Sequence, residues 1–107
     1  MEIIYFKTDE AYTHPFFQKY IVFTGALEAM TRSSAATFIR DVGGILQGTV
    51  SEQTNFVVLG NKRKGVSSKE LKARLLEAQG IDLQIINEAD FLWLIQMAHN
   101  EQKSNLP

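Results

Sequence analysis

The sequence contains no cysteine, only two prolines, and no marked excess of either charge among its 107 residues. Each absence excludes something. Without cysteine there is no disulfide scaffold, no thiolate zinc site and no cysteine nucleophile. Uncharged apolar runs such as Phe91-Leu92-Trp93-Leu94-Ile95 fall far short of the roughly 20 residues that a bilayer-crossing helix needs. The opening Met1-Glu2-Ile3-Ile4-Tyr5-Phe6 has no basic segment ahead of its apolar residues, so it does not read as a secretory signal. A cytoplasmic, soluble protein without membrane association is expected. Any chemistry must come from Ser, Thr, His, carboxylates or basic side chains.

What is present is an ordinary globular composition, 45% apolar and 21% charged, in a length that fits one domain with a single core. The net charge of −1 hides a lopsided distribution. Lys62, Arg63, Lys64, Lys69, Lys72 and Arg74 place six of the eleven basic residues within thirteen positions, opposed only by Glu70. That segment carries +5 and the remainder −6. A local patch for phosphate is one meaning of such a run; a solvated loop is the other.

Tyr20-Ile21-Val22-Phe23-Thr24 is a continuous β-branched and aromatic run, as expected of a strand buried on both faces, and Gly25 stops it. Thr31 caps a helix from Arg32 to Val42 in which Ala35, Phe38, Ile39 and Val42 recur at helical spacing, and Gly43-Gly44 ends it. Ile45-Leu46-Gln47 and Asn55-Phe56-Val57-Val58-Leu59 read as strands. Ser67 and Glu70 form a capping-box signature for a helix carrying Leu71, Leu75, Leu76 and Ala78, with Gly80 at its end. Leu83 to Ile86 is a fourth strand. Asn87 and Asp90 cap a last helix reaching about Ala98, with Phe91, Leu94 and Ile95 inward. Residues 1–15 read as an N-terminal arm, with a short strand at Ile3-Ile4-Tyr5, and 99–107 as a frayed tail. Strands of buried type alternating with helices predict an α/β domain with a mainly parallel sheet covered on both faces. Its expected core includes Ile21, Phe23, Phe38, Ile39, Leu46, Val57, Ile85 and Leu94, and Gly43 or Gly44 is expected at positive φ.

Few residues point to catalysis. Gly60-Asn61-Lys62-Arg63-Lys64-Gly65-Val66-Ser67 follows a strand and opens a helix, as a nucleotide phosphate loop does. That loop needs Lys after its second Gly, where Val66 stands here. His14 and His99 lack a second ligand or carboxylate at useful spacing and read as surface imidazoles. Glu88 and Asp90 are explained as helix-start acids. Nothing assembles a nucleophile–base pair, so no enzyme, cofactor or metal is expected.

One convergence remains. In a parallel sheet, ligands gather at the carboxyl ends of strands beside helix amino ends. The first strand ends in Thr24-Gly25, a hydroxyl and an unhindered N–H. Arg32 opens the next helix, and Lys69 and Lys72 lie in the first turns of the helix after Ser67. Cations at a positive helix end oppose the dipole, which points to a ligand that repays the cost.

These residues resemble the BRCT domain family. The likeness is carried by Phe23-Thr24-Gly25, Arg32, Gly43-Gly44, Val50-Ser51, Thr54-Asn55-Phe56-Val57-Val58-Leu59-Gly60, Ser68-Lys69 and Lys72-Ala73, and it covers about residues 16–98. It looks closest to the single phosphate-binding BRCT domains of bacterial NAD-dependent DNA ligase and of the replication factor C large subunit. His14-Pro15-Phe16-Phe17 also resembles the linker ahead of the BRCT domain in bacterial exonucleases related to the polymerase III proofreading subunit. The resemblance implies a four-stranded parallel sheet with two helices on one face and one on the other, and no enzymatic activity of its own. It implies that Thr24, Gly25 and Lys69 hold a phosphate. Arg32 and Lys72 match additional basic positions of DNA-end-binding members, and Lys62, Arg63 and Lys64 are expected to meet the neighbouring backbone. The expected partner of this monomeric module is DNA bearing a 5′ phosphate, at an end or a nick; the alternative is a phosphorylated peptide or a replication protein. Only one repeat is present, whereas most phosphopeptide readers use two.

Overall fold

The computed structural model describes residues 14–104. The expected strand at Ile3-Ile4-Tyr5 and most of the expected arm lie outside the described residues. The chain runs β1 (Tyr20–Thr24), α1 (Arg32–Asp41), β2 (Ile45–Leu46), β3 (Phe56–Leu59), α2 (Ser68–Ala78), β4 (Gln84–Asn87) and α3 (Glu88–Ser104). The four strands form one sheet in the order β2-β1-β3-β4, and every pairing is parallel. β2 and β3 follow each other in sequence but do not pair; both lie against β1.

Strand alternation divides the apolar residues between two cores. Ile21, Phe23 and Val58 face α1 and α3, meeting Ala35, Ile39 and Phe91, with Phe38, Leu46, Phe56, Ile86, Leu94 and Ile95 packed around them. Val22, Val57 and Leu59 face α2, meeting Ala73, Leu76 and Leu83, with Ile81 and Ile85 alongside. Two helices therefore cover one face and one the other. Each fully buried Ile, Val or Phe contributes about 1.5–3 kcal/mol. β1 and β3, buried on both faces, carry the uninterrupted apolar runs seen in the sequence. Of the expected core, Ile21, Phe23, Ile39 and Val57 are fully buried, while Phe38, Leu46, Ile85 and Leu94 are half-buried around them.

The helix ends follow their local signals. The Thr31 side chain accepts from Ser34 N–H at 3.1 Å. Gly43 sits at φ +82, its N–H donating to Arg40 O at 3.0 Å while Gly44 N–H donates to Ile39 O at 2.8 Å. This pairing is a Schellman end, and it needs the left-handed residue that glycine supplies without strain. Gly80 closes α2 in the same way, with Ile81 N–H donating to Leu76 O at 3.0 Å. α3 continues to Ser104 rather than ending near Ala98, because Asn100-Glu101-Gln102-Lys103 offers no breaker.

The Thr54-Asn55 pair ahead of β3 holds the lower rim of the sheet. Thr54 Oγ1 accepts from Ser51 N–H at 2.9 Å and donates to Gln47 Oε1 at 3.0 Å. Asn55 Oδ1 accepts from Tyr20 N–H at 2.8 Å, satisfying the first amide of β1.

One expectation, for His14, is corrected, and the inward face of α2 is set by what it packs against. Leu71 and Leu75 are 61% and 59% exposed, whereas Ala73, Leu76 and Glu70 face inward. Leucines at 71, 75 and 76 fit two helical phases, and packing against Val22, Val57 and Leu83 selects the one through Ala73 and Leu76. His14, read as a surface imidazole, is only 5% exposed. Its Nδ1 accepts from Phe16 N–H at 3.0 Å, which leaves Nε2 carrying the proton, 3.3 Å from Leu94 O. The ring also packs edge-on to Phe38, with centroids 5.4 Å apart. The side chain of His99 lies outside the described residues.

Candidate functional site

Because all strands are parallel, the carboxyl ends of β1, β3 and β4 open onto one rim, and the β1–α1 loop, the β3–α2 loop and the start of α3 meet there. Gly25 takes φ +80, and a Cβ at that position would collide with the Cβ of Arg63. Gly60 approaches the Ala26 carbonyl just as tightly. Gly60 N–H donates to Thr24 O at 3.0 Å and Lys62 N–H to Ala26 O at 3.0 Å, so the two loops run in backbone contact. Glycine is required at both positions to permit this approach.

The rim brings several of the expected site residues together. Thr24 ends β1 with its hydroxyl 2.5 Å from the Ser67 hydroxyl. Ser67 in turn caps α2, accepting from Glu70 N–H at 3.1 Å. The end of β1 is thus tied to the amino end of α2, and Lys69 lies half-buried in that helix's first turn. Residues 25–32, from Gly25 to Arg32, together with Lys62 line an open cleft of about 670 Å³. The Arg32 guanidinium stacks over the Phe23 ring, 5.1 Å from its centroid, and reaches Gly25 O at 3.5 Å.

Other expected residues are placed apart. Lys72 lines a separate depression with Ser51, Glu52, Gln53 and Leu76. Arg63 is committed internally: its Nε pairs with Glu70 Oε1 at 3.1 Å, and Arg74 Nη2 takes Glu70 Oε2 at 3.1 Å. Glu70 is 3% exposed, so its carboxylate is spent on two arginines rather than on closing a capping box. The basic segment therefore offers Lys62, Lys64, Lys69 and Lys72, none of which forms an ion pair among the described residues. Lys62 and Lys64 are exposed.

The sequence reading missed the role of Glu88. Asn87 does cap α3, accepting from Asp90 N–H at 2.8 Å, but Glu88 beside it is 1% exposed and points under the rim. Its Oε1 accepts from Glu28 N–H at 2.9 Å and Asn61 N–H at 2.8 Å. Its Oε2 accepts from Glu28 N–H at 2.9 Å and Ala29 N–H at 2.7 Å. Burial pushes the carboxyl up, but the N–H groups of Asn61, Glu28 and Ala29 and the charge of Lys62 outweigh it and hold Glu88 below the ordinary glutamate range. The available signal was an acid directly after the last strand, at the ligand-bearing end of a parallel sheet. Among the described residues no group of three or more His, Cys, Asp or Glu could hold a metal ion, and no helix is long and apolar enough to cross a membrane.

Comparison with known proteins agrees with this architecture. The BRCA1 C Terminus (BRCT) domain family model matches residues 12–85, and the chain belongs to that family. It is 34% identical over 86 residues to a DNA ligase of Acholeplasma laidlawii, covering 80% of this chain and 12% of the ligase. A DNA ligase of Protochlamydia amoebophila is 37% identical over 89 residues, covering 82% of this chain and 12% of that protein. A Chlamydia felis DNA ligase is 38% identical over 77 residues, 72% of this chain and 10% of the ligase. The chain thus spans about a tenth of the length of these relatives.

Proposed function

We propose that this chain is a non-catalytic, cytoplasmic DNA-binding module of a replication or repair protein, and that it grips a terminal 5′ phosphate at an end or a nick. The observation that carries the reading is the joining of Thr24-Gly25 to the amino end of α2 through Ser67, with Lys69 in its first turn. The Thr24 hydroxyl and Gly25 N–H orient the phosphate, and Lys69 and Arg32 neutralise it. Lys62, Lys64 and Lys72 meet the adjoining backbone. Arg63, held by Glu70, serves chiefly as the wall against which Gly25 packs. Contacts of this kind position a duplex without reading its bases, so little sequence preference follows.

Residues 16–98 form the binding unit, and it acts as a monomer. The similarity to bacterial DNA ligases supports the replication or repair context, and a ligase or a related DNA-processing enzyme is the proposed parent. A second reading, docking of a phosphorylated peptide or replication protein, is favoured by Val66, Leu71 and Leu75, exposed beside the lysines at 60%, 61% and 59%.

The deciding experiment is a titration with 5′-phosphorylated duplex and with the same duplex lacking the phosphate. Preference for the phosphorylated end is expected. Equal affinity for the two would refute the end-binding function.

A further inference from the structure

Among the described residues, Glu88 is the one deeply buried acid whose carboxylate is met by backbone amides rather than by a basic side chain. Its two oxygens receive N–H groups from Glu28 and Ala29 on the β1–α1 loop and from Asn61 on the β3–α2 loop. A second tie joins the same loops, Asn61 Nδ2 to Glu28 Oε1 at 3.2 Å. These loops are the walls of the cleft lined by Gly25, Arg32 and Lys62. Convergent backbone N–H groups of this kind are what an incoming anion ordinarily seeks. Here the protein's own carboxylate has taken them.

We propose that Glu88 is a positioning residue of the rim: its carboxylate fills the amide nest of Glu28, Ala29 and Asn61, fixes the two loops against each other, and thereby confines an incoming phosphate to the Gly25 side of the cleft, next to the junction of Thr24 and Ser67 at the amino end of α2. This deepens the phosphate-end reading and rests on it. A dianion placed at the nest would face a buried negative charge, whereas at Gly25 it meets an unhindered backbone amide next to the residue tied to the amino end of α2, the helix whose first turn carries Lys69. Fixing Asn61 also fixes Lys62, the next residue, whose cationic side chain lies close enough to favour the ionised form of Glu88.

Glutamine tests this because it matches glutamate in shape but not in polarity. Each carboxylate oxygen of Glu88 receives an N–H from a different residue, Asn61 at Oε1 and Ala29 at Oε2. In Glu88→Gln, one of those amides must face an NH₂ group whichever way the side chain is turned. Three measurements decide the matter. In the wild-type protein, through-hydrogen-bond NMR couplings from the Glu28, Ala29 and Asn61 amides to the Glu88 carboxyl carbon are expected; their absence overturns the proposal. In E88Q, amide exchange at Ala29 and Asn61 should accelerate about ten- to a hundredfold, the effect of losing a hydrogen bond to a charged group, while the Val22 and Val57 amides stay protected. The affinity ratio for phosphorylated over unphosphorylated duplex should fall about tenfold, with the salt dependence unchanged because Lys62, Lys64 and Lys72 remain.

A folded E88Q with the wild-type ratio overturns the positioning role. Should E88Q fail to fold, Glu88→Asp decides, since it keeps the charge but withdraws it by one methylene. A folded E88D that loses the phosphate preference supports the proposal, and one that retains it overturns it. If the wild type shows no phosphate preference at all, the end-binding function falls, while the couplings and exchange rates still decide whether Glu88 holds the loops.

Discussion

At the scale of single residues, the lysines of the basic segment are not equivalent. Lys69 stands at the amino end of α2, where the helix dipole already favours an anion, and a charge-assisted hydrogen bond to phosphate there is worth roughly 1.5–3 kcal/mol. Lys69→Ala should weaken binding of 5′-phosphorylated duplex about ten- to a hundredfold in a titration. Lys62→Ala removes an exposed charge that water and salt screen, and it should cost far less. Neither change should lower the melting temperature, because neither side chain contributes to the core. Equal losses in the two variants would mean general attraction without a pocket. Glu88 makes a different kind of contribution. Its folded-state pKa is depressed, so its stabilisation is complete above the unfolded value, about 4.3, and is lost as pH falls through the lower folded value. Melting temperature followed from neutral pH to below about 4 should drop in the wild type, and more gently in E88Q.

At the scale of elements, what the sequence revealed depended on whether the cause was local. Thr31, Ser67, Gly43 and Gly80 end or begin helices through hydrogen bonds within a few residues, and each signal is legible in the chain. The runs of β1 and β3 are legible because burial on both faces leaves no polar alternation to confuse the reading. The phase of α2 was not legible, since only the opposing Val22 and Val57 decide which leucine faces inward. His14 and Glu88 were missed for the same reason: their partners, Leu94 for one and Glu28, Ala29 and Asn61 for the other, are distant in sequence. Of the candidate site, the residue types at the strand ends were legible, whereas the pairing of Arg63 with Glu70 was not. Thermal unfolding tests this division. Gly43→Val forces a β-branched residue to φ +82 with its Cβ 2.5 Å from the Phe17 ring, and should destabilise by more than about 1 kcal/mol. Leu76→Ala should cost about 2–5 kcal/mol, whereas Leu71→Ala, on the exposed side of the same helix, should stay within about 0.5 kcal/mol.

At the scale of the whole molecule, the net charge of −1 conceals a basic segment, residues 62–74, in an otherwise acidic chain. Under the proposed function, a phosphate backbone would be attracted by that segment and repelled by the rest, which would orient the encounter. With two to four phosphate contacts, the logarithm of affinity for phosphorylated duplex should fall against the logarithm of salt concentration with a slope of about −2 to −4. A flat dependence would transfer the interaction to the exposed apolar side chains of Val66, Leu71 and Leu75.

The order of strands also governs how the chain can reach this shape. Tyr20 meets Ile45, Ile21 meets Phe56, and Phe56 meets Gln84, so every strand pair among the described residues is separated by a crossover, with no hairpin there to form first. Folding must close a long loop before any ladder rewards it, which places the domain among slower folders than helical bundles of its size. β2 adds only two residues at the outer edge of β1, whereas β1 and β3 share the two-faced core. The nucleus therefore has to assemble β1 on β3 across the intervening chain, with β2 settling afterwards, and substitutions in Val22 or Val57 should slow refolding where those in Leu46 mainly hasten unfolding.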